Sequence, residues 1–438
     1  MIRSYDSYRS SGFEWLGDIP SHWKTVRIGA AFQERNEKVS DSEFFALSVT
    51  KNGIVPQMES VAKTDAGDNR KRVNVGDFVI NSRSDRKGSS GVSELEGSVS
   101  LISIVLKPNL HDPSYIHHLF RSYNFQEEFY RNGKGIVADL WSTRFTEMKN
   151  ISVPLFDLGE QKAIAKYLDN ETQRIDSLIC EKQSFIALLK EKRQALISHF
   201  VTKGLDPNVP MKDSGVEWLG EIPEHWSISR LSYLATVNGR VGWKALKADE
   251  YVDEGYAFLS TPNIKGKHID FDNTNRITEE RYIESPEIIL EIGDVLLAKD
   301  GSTLGITAYV DELPRAATVN SSIAVLKTFN SKLYSEYLYW FLLGEYMQNI
   351  IQRKKEGMGV PHLFQKDINK FTILIPDFEE QKRICEKLRD SVGRLDFLLD
   401  EVRKSIDLLR EYRTSLISAA VTGKINVRGM VDTKVGAA

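Results

Sequence analysis

Two stretches of the chain, 160–200 and 380–420, place apolar residues at helical spacing. Steps of four and three from Ile164 meet Leu168, Ile175, Leu178, Phe185, Leu189 and Leu196, with Glu171, Lys182 and Lys192 at the remaining steps. The same steps from Ile384 meet Leu388, Leu395, Leu398, Val402, Leu409 and Leu416. A seam of this kind, flanked by Glu, Lys and Arg, predicts a coiled coil. Pro154 and Pro376 precede the two stretches; Gly204 with Pro207, and later Gly423, follow them. These residues predict where the two long helices begin and stop. At 1.5 Å per residue, residues 160–200 make a rod of about 60 Å. So long a seam must be buried, and the expected partner is the other copy, antiparallel, in the same chain.

Elsewhere the pattern shortens. "FFALSV", "DFVINS", "SLISIVL", "DVLLA" and "SSIAVLK" are bounded by Gly, Asn or Asp and read as strands. Residues 112–130 and 331–351 each read as an amphipathic helix. The predicted fold class is α+β, with two mixed α/β domains separated by two long antiparallel coiled-coil helices. The expected divisions are 1–157, 158–205, 206–378 and 379–438.

The chain also repeats itself. "SGFEWLGDIPSHW" (11–23) returns as "SGVEWLGEIPEHW" (214–226), 203 residues later. "GEQKAIAKYLDNETQRIDSLI" (159–179) returns as "EEQKRICEKLRDSVGRLDFLL" (379–399), and "LISHFVTKG" (196–204) as "LISAAVTGK" (416–424), both 220 residues later. Between these anchors only echoes survive, such as "VGDFVINSR" (75–83) against "IGDVLLAKD" (292–300). Similar ends imply a shared scaffold, and dissimilar middles imply two different recognition tasks. Each aromatic strap is expected to tether one globule to the helices. The N-terminal strap should dock near the end of the C-terminal helix, giving a pseudo-two-fold, circular organisation.

Composition narrows the class. At 438 residues, two or three domains are expected. A net charge of −3 gives no global nucleic-acid signature, so DNA binding has to rest on local patches. Cys180 and Cys385 are too few for a disulfide framework or a zinc site, and they suit a reducing cytoplasm. The polar start "MIRSYDSYRSSG" lacks a signal-peptide core, and "YLYWFLL" (337–343) is far too short to span a membrane.

Catalytic motifs are scarce. Each strap carries an acid and a histidine, Glu14 and His22 in the first, Glu217 and His225 in the second. The rest of its identity is Trp, Leu, Ile and Pro, which makes it a packing device. "DPSY" (112–115) is close to the Asp/Asn-Pro-Pro-Tyr loop that holds a flipped base in amino-methyltransferases. Its third position is Ser, no glycine-rich cofactor loop precedes it, and Asp112 as a helix cap with Pro113 behind it explains it. "KGSSG" (87–91) and "DGSTLG" (300–305) lack the Lys-Ser/Thr of a P-loop but follow equivalent strands in both halves. Basic runs sit in the globules: "RKR" (70–72), "RSDRK" (83–87), "GRVGWK" (239–244) and "RKKEG" (353–357). Any single run reads as a solvated surface. Several of them, in equivalent loop-rich places and interleaved with Trp141 and Trp243, point to DNA. The candidate DNA-binding residues are Arg83, Arg86, Lys87, Ser89, Trp141 and Arg144 in the first half. In the second half they are Lys244, Lys299, Ser302, Thr303 and Lys355.

With the duplicated strap, the Gly-Asp strand and Pro followed by "GEQK" or "EEQK", the chain resembles the specificity subunits of type I restriction–modification systems from residue 11 to about 429. The resemblance implies two target-recognition domains, each reading one half of a bipartite asymmetric DNA site. It also implies helical regions that bind two methyltransferase subunits, with translocating endonuclease subunits joining that core. It implies no catalysis and no cofactor in this chain, the partners using S-adenosylmethionine, ATP and Mg. Readers facing the same side of DNA lie one turn, about 34–36 Å, apart, which leaves an unread gap on the order of six base pairs. The rival expectation is a coiled-coil scaffold with two protein-binding domains and no DNA role.

Overall fold

The computed structural model describes residues 4–57, 67–135, 141–216, 219–240, 246–266, 268–329, 331–353, 362–428 and 430. The chain divides into two compact units. Unit 1 is Met1–Lys182 with Arg403–Ala438, and unit 2 is Gln183–Val402. Each unit takes part of the central long helix, Leu158–Lys203, and part of the C-terminal long helix, Phe378–Val421.

The two units share one internal plan. In unit 1 a four-stranded antiparallel sheet runs Ser90–Val92, Phe78–Asn81, Ser103–Pro108, Phe32–Glu34. Unit 2 has the same order in Thr307–Tyr309, Val295–Ala298, Ile323–Thr328, Ala235–Asn238. A second pairing also repeats: Lys24–Arg27 with Ser152–Leu155, and Ser227–Arg230 with Thr372–Ile375. The units diverge in a three-stranded sheet. In unit 1 it is wholly antiparallel, Gly97–Ser100, Arg70–Val73, Lys38–Val39. In unit 2 Tyr256–Leu259 pairs antiparallel with Asn275–Ile277 but parallel with Ala317–Val319. The shared sheet coincides with the echoes in sequence, and the differing sheet with the stretches that have none.

The expected amphipathic helices are each broken in two. Pro113–Arg121 and Tyr123–Arg131 meet at Ser122, whose extended backbone stops the first and whose hydroxyl caps the second by accepting from Phe125 N. Ser335–Leu343 and Glu345–Arg353 meet at Gly344 in the same conformation. A capping hydroxyl and a glycine are both residues that let a helix stop.

The long helices pair within each unit. In unit 1 Arg413 Nε lies 3.0 Å from Asp176 Oδ1, and in unit 2 Arg193 Nε lies 2.9 Å from Asp396 Oδ1. From the first pair to the second the central helix advances seventeen residues while the C-terminal helix retreats seventeen, so the pairing is antiparallel. Each arginine and each aspartate has its copy 220 residues away, so the ion pairs are equivalents.

The seam is one residue out of the expected register in part of each helix. The buried or packed positions are Ile164, Leu168, Thr172, Ile175, Ile179, Ile186 and Leu189 in one, and Ile384, Leu388, Val392, Leu395, Leu399, Ile406 and Leu409 in the other. Phe185 (45% exposed) and Leu398 (43%) face solvent, and Leu178 is only half-buried. Leu399, by contrast, is 6% exposed. The cause is a second step of four at Leu168 and at Leu388, where the helices still serve the globular cores. Alternate positions therefore move on by one residue, 171, 178 and 185 giving way to Thr172, Ile179 and Ile186, while Ile175 and Leu189 stay where expected. Leu196, Val402 and Leu416 remain on the buried or half-buried side.

The straps grip the start of one long helix and the end of the other. Glu160 accepts from Trp23 Nε1 (3.2 Å) and Tyr5 Oη (2.8 Å) and contacts His22 Nε2 (2.9 Å). Glu380 does the same with Trp226 Nε1 (3.1 Å) and His225 Nε2 (2.9 Å). The neighbouring glutamine ties the helix to the globule: Gln161 accepts from Asp112 N and Gln381 from Tyr334 N. At the far end, Gly423 and Gly204 end the helices at positive φ (74° and 78°). Lys424 Nζ donates to Asp18 O in unit 1, and Lys203 Nζ to Glu221 O in unit 2. The expected docking of the N-terminal strap at the end of the C-terminal helix is therefore seen within unit 1. Trp218 and Glu217 of the second strap lie outside the described residues.

Candidate nucleic-acid interface

The Gly-Asp motif builds a turn before it builds a surface. Gly76 and Gly293 adopt positive φ, and the following aspartates accept from a backbone N–H three residues away, Asn74 N to Asp77 and Glu291 N to Asp294. Each aspartate also holds a cation, Arg35 at 2.7 Å from Asp77 and Lys327 at 2.8 Å from Asp294. Burial pushes the Asp294 carboxyl above its ordinary pKa, partly offset by Lys327. The strand that follows is thereby fixed at its start, and its far end presents a loop.

In unit 1 that loop is Ser82 to Gly88, with a single 3-10 turn at Ser84–Arg86. A second segment, 141–146, lies along it. Thr143 N donates to Ser82 O (2.9 Å), Ser84 N to Trp141 O (2.9 Å), and Arg83 bridges Ser142. Two groups of candidates from distant stretches thus form one surface. Arg83 is half-exposed beside Asp85 at 3.1 Å, and Arg86 is 69% exposed. Lys87 pairs with Glu127 and lies 6.0 Å from the Tyr123 ring centre. Trp141 and Arg144 are exposed. The turn at Leu101 and Ile102 brings two exposed apolar side chains to the same rim, where they share a cavity with Ser142, Arg144 and Phe145.

In unit 2 the same backbone contacts hold other side chains. Leu363 N donates to Lys299 O (2.8 Å), and Asp300 bridges His362, whose Nδ1 also contacts the Asp300 carboxylate. Gly305 repeats the positive φ of Gly88. Ser302 is exposed, and Thr303 is half-buried with its hydroxyl donated to Asp300 O. Phe364 is exposed, packs edge-on to His362 and lies beneath Lys366. Where unit 1 presents Arg83, Ser142 and Arg144, unit 2 presents Asp300, His362 and Phe364.

Several candidates do not occupy this surface. Ser89 (6% exposed) is enclosed in the hairpin, and Lys299 (9%) is buried with its stem beside Gly239, so neither offers an open side chain. The run at 70–72 is spent internally: Arg70 binds Ser98, Lys71 pairs with Glu34 and Arg72 with Glu37. Arg240 is buried against Phe258 and Glu284. Lys244, Trp243 and Lys355 lie outside the described residues. Asp112 caps its helix and Tyr115 is fully buried, its hydroxyl donated to Val421 O, so "DPSY" holds no base. Sequence reasoning missed Leu101, Ile102, Asp300, His362 and Phe364. Carrying Ser142 and Arg144 forward by the 220-residue displacement leads to His362 and Phe364.

Residues 223–397 match the family described as the type I restriction modification DNA specificity domain. The chain carries a type I restriction–modification DNA specificity domain. A scaffold without a DNA role does not account for that match. The MjaVIII specificity subunit of Methanocaldococcus jannaschii is 22% identical, over 98% of this chain and all of that one. The HsdS subunit of Thermoanaerobacter tengcongensis superposes with a TM-score of 0.54 at 17% identity, covering 92% of this chain and 98% of that one. A chain from a structure describing assembly and conformational transition of the type I R-M system gives 0.70 at 16% identity with the same coverage. The architecture around the specificity domain is that of type I specificity subunits. Among the described residues there is no cluster of His, Cys, Asp or Glu suited to a metal, and no helix is long and apolar enough to cross a membrane.

Proposed function

We propose that the chain is the non-catalytic recognition subunit of a type I restriction–modification complex, and that each unit reads one half of a bipartite, asymmetric DNA site. One observation carries this reading: equivalent backbone contacts, Thr143 N to Ser82 O and Leu363 N to Lys299 O, hold unlike side chains. A repeated support with different chemistry on top is what two readers of different sequences require. Arg83, Arg86 and Arg144 suit guanine or phosphate, and Leu101 and Ile102 suit a thymine methyl group. His362, Ser302 and Thr303 suit other base edges. Both long helices run through both units, so their residue count sets the gap between the half-sites. Off the seam they expose Phe185, Leu188, Phe397, Leu398, Leu408 and Tyr412, apolar surface on which two methyltransferase subunits dock. Methyl transfer from S-adenosylmethionine, and translocation and cleavage with ATP and Mg, belong to those partners and to the endonuclease subunits, in the cytoplasm.

The test is electrophoretic mobility of duplex DNA with the chain and its methyltransferase partner. Substituting either half of the target should abolish the specific shift, and substituting the gap should leave it intact. A complex that forms equally on any duplex contradicts the reading.

A further inference from the structure

Behind the end of the reading loop, unit 1 contains a cavity of about 430 Å³ between helix Pro113–Arg121 and the two long helices, lined by Lys51, Lys87, His117, Arg121, Asp169 and Arg413 among others. Its charges do not cancel. Four cations face it, and the one carboxylate, Asp169, is occupied by His118 at 2.7 Å. Arg413 is paired with Asp176 and Lys87 with Glu127. Arg121 has no carboxylate partner among the described residues. Neutral acceptors hold its guanidinium instead, His117 Nε2 at 2.6 Å and Lys51 O at 2.5 Å.

The cavity is also short of acceptors. Val92 N points at His117 Nδ1 (3.3 Å) while Arg121 points at Nε2, yet a neutral imidazole accepts at only one nitrogen. Burial, Arg121 and His118 push His117 down to about 3, so the ring stays neutral. Burial and Arg413 both work against the charge on Arg121. A guanidinium cannot shed its proton at ordinary pH, so the remaining way to satisfy it is an anion with several acceptor oxygens.

The counterpart in unit 2 is different in kind. There the cavity, about 290 Å³, is lined by Tyr309, Asp311, Glu336, Tyr339, Trp340 and Arg389. Its single cation, Arg389, is paired with Glu336 at 2.8 Å. The scaffold repeats, and the positive cavity does not.

We propose that the unit 1 cavity is a phosphate-binding site, built around Arg121 with Lys51 and Lys87 at its rim. The phosphate has two sources. Lys87 directly follows Arg83 and Arg86 in the reading loop, which suits a phosphodiester of bound DNA; a free phosphoryl compound has the same chemistry. The site stands on its own charges and does not depend on the DNA reading.

The experiment uses the full-length chain in two arms, comparing wild type, Lys51→Gln and Arg121→Gln. The first arm titrates pyrophosphate calorimetrically at constant ionic strength. A free-phosphoryl site gives saturable binding that Arg121→Gln weakens at least tenfold. The second arm measures affinity for duplex DNA, with the methyltransferase partner present, across a salt series. A DNA-backbone site gives a several-fold loss for Lys51→Gln, a salt slope lower by about one and unchanged sequence preference. Lys51 is exposed, so this variant reads the site even if Arg121→Gln impairs folding. No pyrophosphate binding together with unchanged DNA affinity and slope in both variants overturns the proposal. Failure of the DNA reading would appear separately, as loss of specific DNA binding in wild type.

Discussion

Replacing Glu160 by Ala tests why the chain writes its aromatic strap twice. Glu160 is buried and receives the Trp23 indole N–H and the Tyr5 hydroxyl, both themselves buried, as well as the half-exposed His22. Burial and the Glu160 carboxylate raise the pKa of Tyr5, so it remains a donor. A hydrogen bond to a charged group contributes about 1.5–3 kcal/mol, and a buried donor left alone forfeits that contribution. Two such donors put the loss at about 3–6 kcal/mol. Glu380 holds one buried donor, Trp226 Nε1, with His225 half-exposed as His22 is, so Glu380→Ala should cost about 1.5–3 kcal/mol. Hydrogen exchange read by mass spectrometry separates these effects, because it follows the opening of residues 8–23 and 211–226 individually. The expected result is a loss of protection confined to the strap whose glutamate is removed, about twice as large in the first. Glu160→Gln, which keeps one acceptor oxygen, should recover part of it. A loss below about 1 kcal/mol in Glu160→Ala would mean that apolar packing alone holds the strap, and the reasoning would fail.

Other consequences follow from the same contacts. An alanine Cβ at Gly423 would sit 2.4 Å from Pro20 Cδ, whereas at Gly204 the nearest atom is 3.2 Å away, on Trp226. With a left-handed backbone at both, chemical denaturation should show about 1–2 kcal/mol lost for Gly204→Ala and about 2–5 for Gly423→Ala. Reversing the Arg193–Asp396 pair should restore most of the stability that either single reversal loses. A double-mutant cycle should give a coupling of about 0.5–1 kcal/mol, smaller for the more exposed Arg413–Asp176 pair. His117 is held neutral among Arg121, His118, Asp169 and Arg413, its pKa lowered to about 3 from an ordinary value near 6.5. Its contribution is therefore complete above about pH 6.5 and is lost as pH falls toward 3, because the unfolded chain takes up the proton first. Melting temperature should accordingly fall less between pH 7 and 5 in His117→Gln than in wild type.

Much of the frame was legible because packing repeats leave repeated letters. The glutamate and glutamine of "GEQK" and "EEQK" recur because each grips a strap and a globule, and the two glycines recur because each ends a helix at positive φ. The seam's period was also legible, but its phase was not. The order of the steps after Leu168 and Leu388, four before three, depends on how the globules cover the first turns, which no local count reveals. Charge was least legible. Arg70, Lys71 and Arg72 resemble a DNA patch in one dimension, yet their partners Ser98 and Glu34 lie on other strands and Glu37 in the connection that leads to a third. His362 and Phe364 escaped notice because they fall where the halves no longer resemble each other.

The central claim is that one duplicated frame holds two unlike readers. It is tested most directly by the methylome of a host carrying the complete system, with wild-type chain and with Arg83→Ala/Arg86→Ala. Wild type should give two different half-sites separated by a fixed unread gap. The variant should relax bases in one half only, a truncated base-reading Arg costing about 1–3 kcal/mol at its position, with the other half and the gap unchanged. A single contiguous or palindromic motif, or a variant that alters both halves together, would contradict the account.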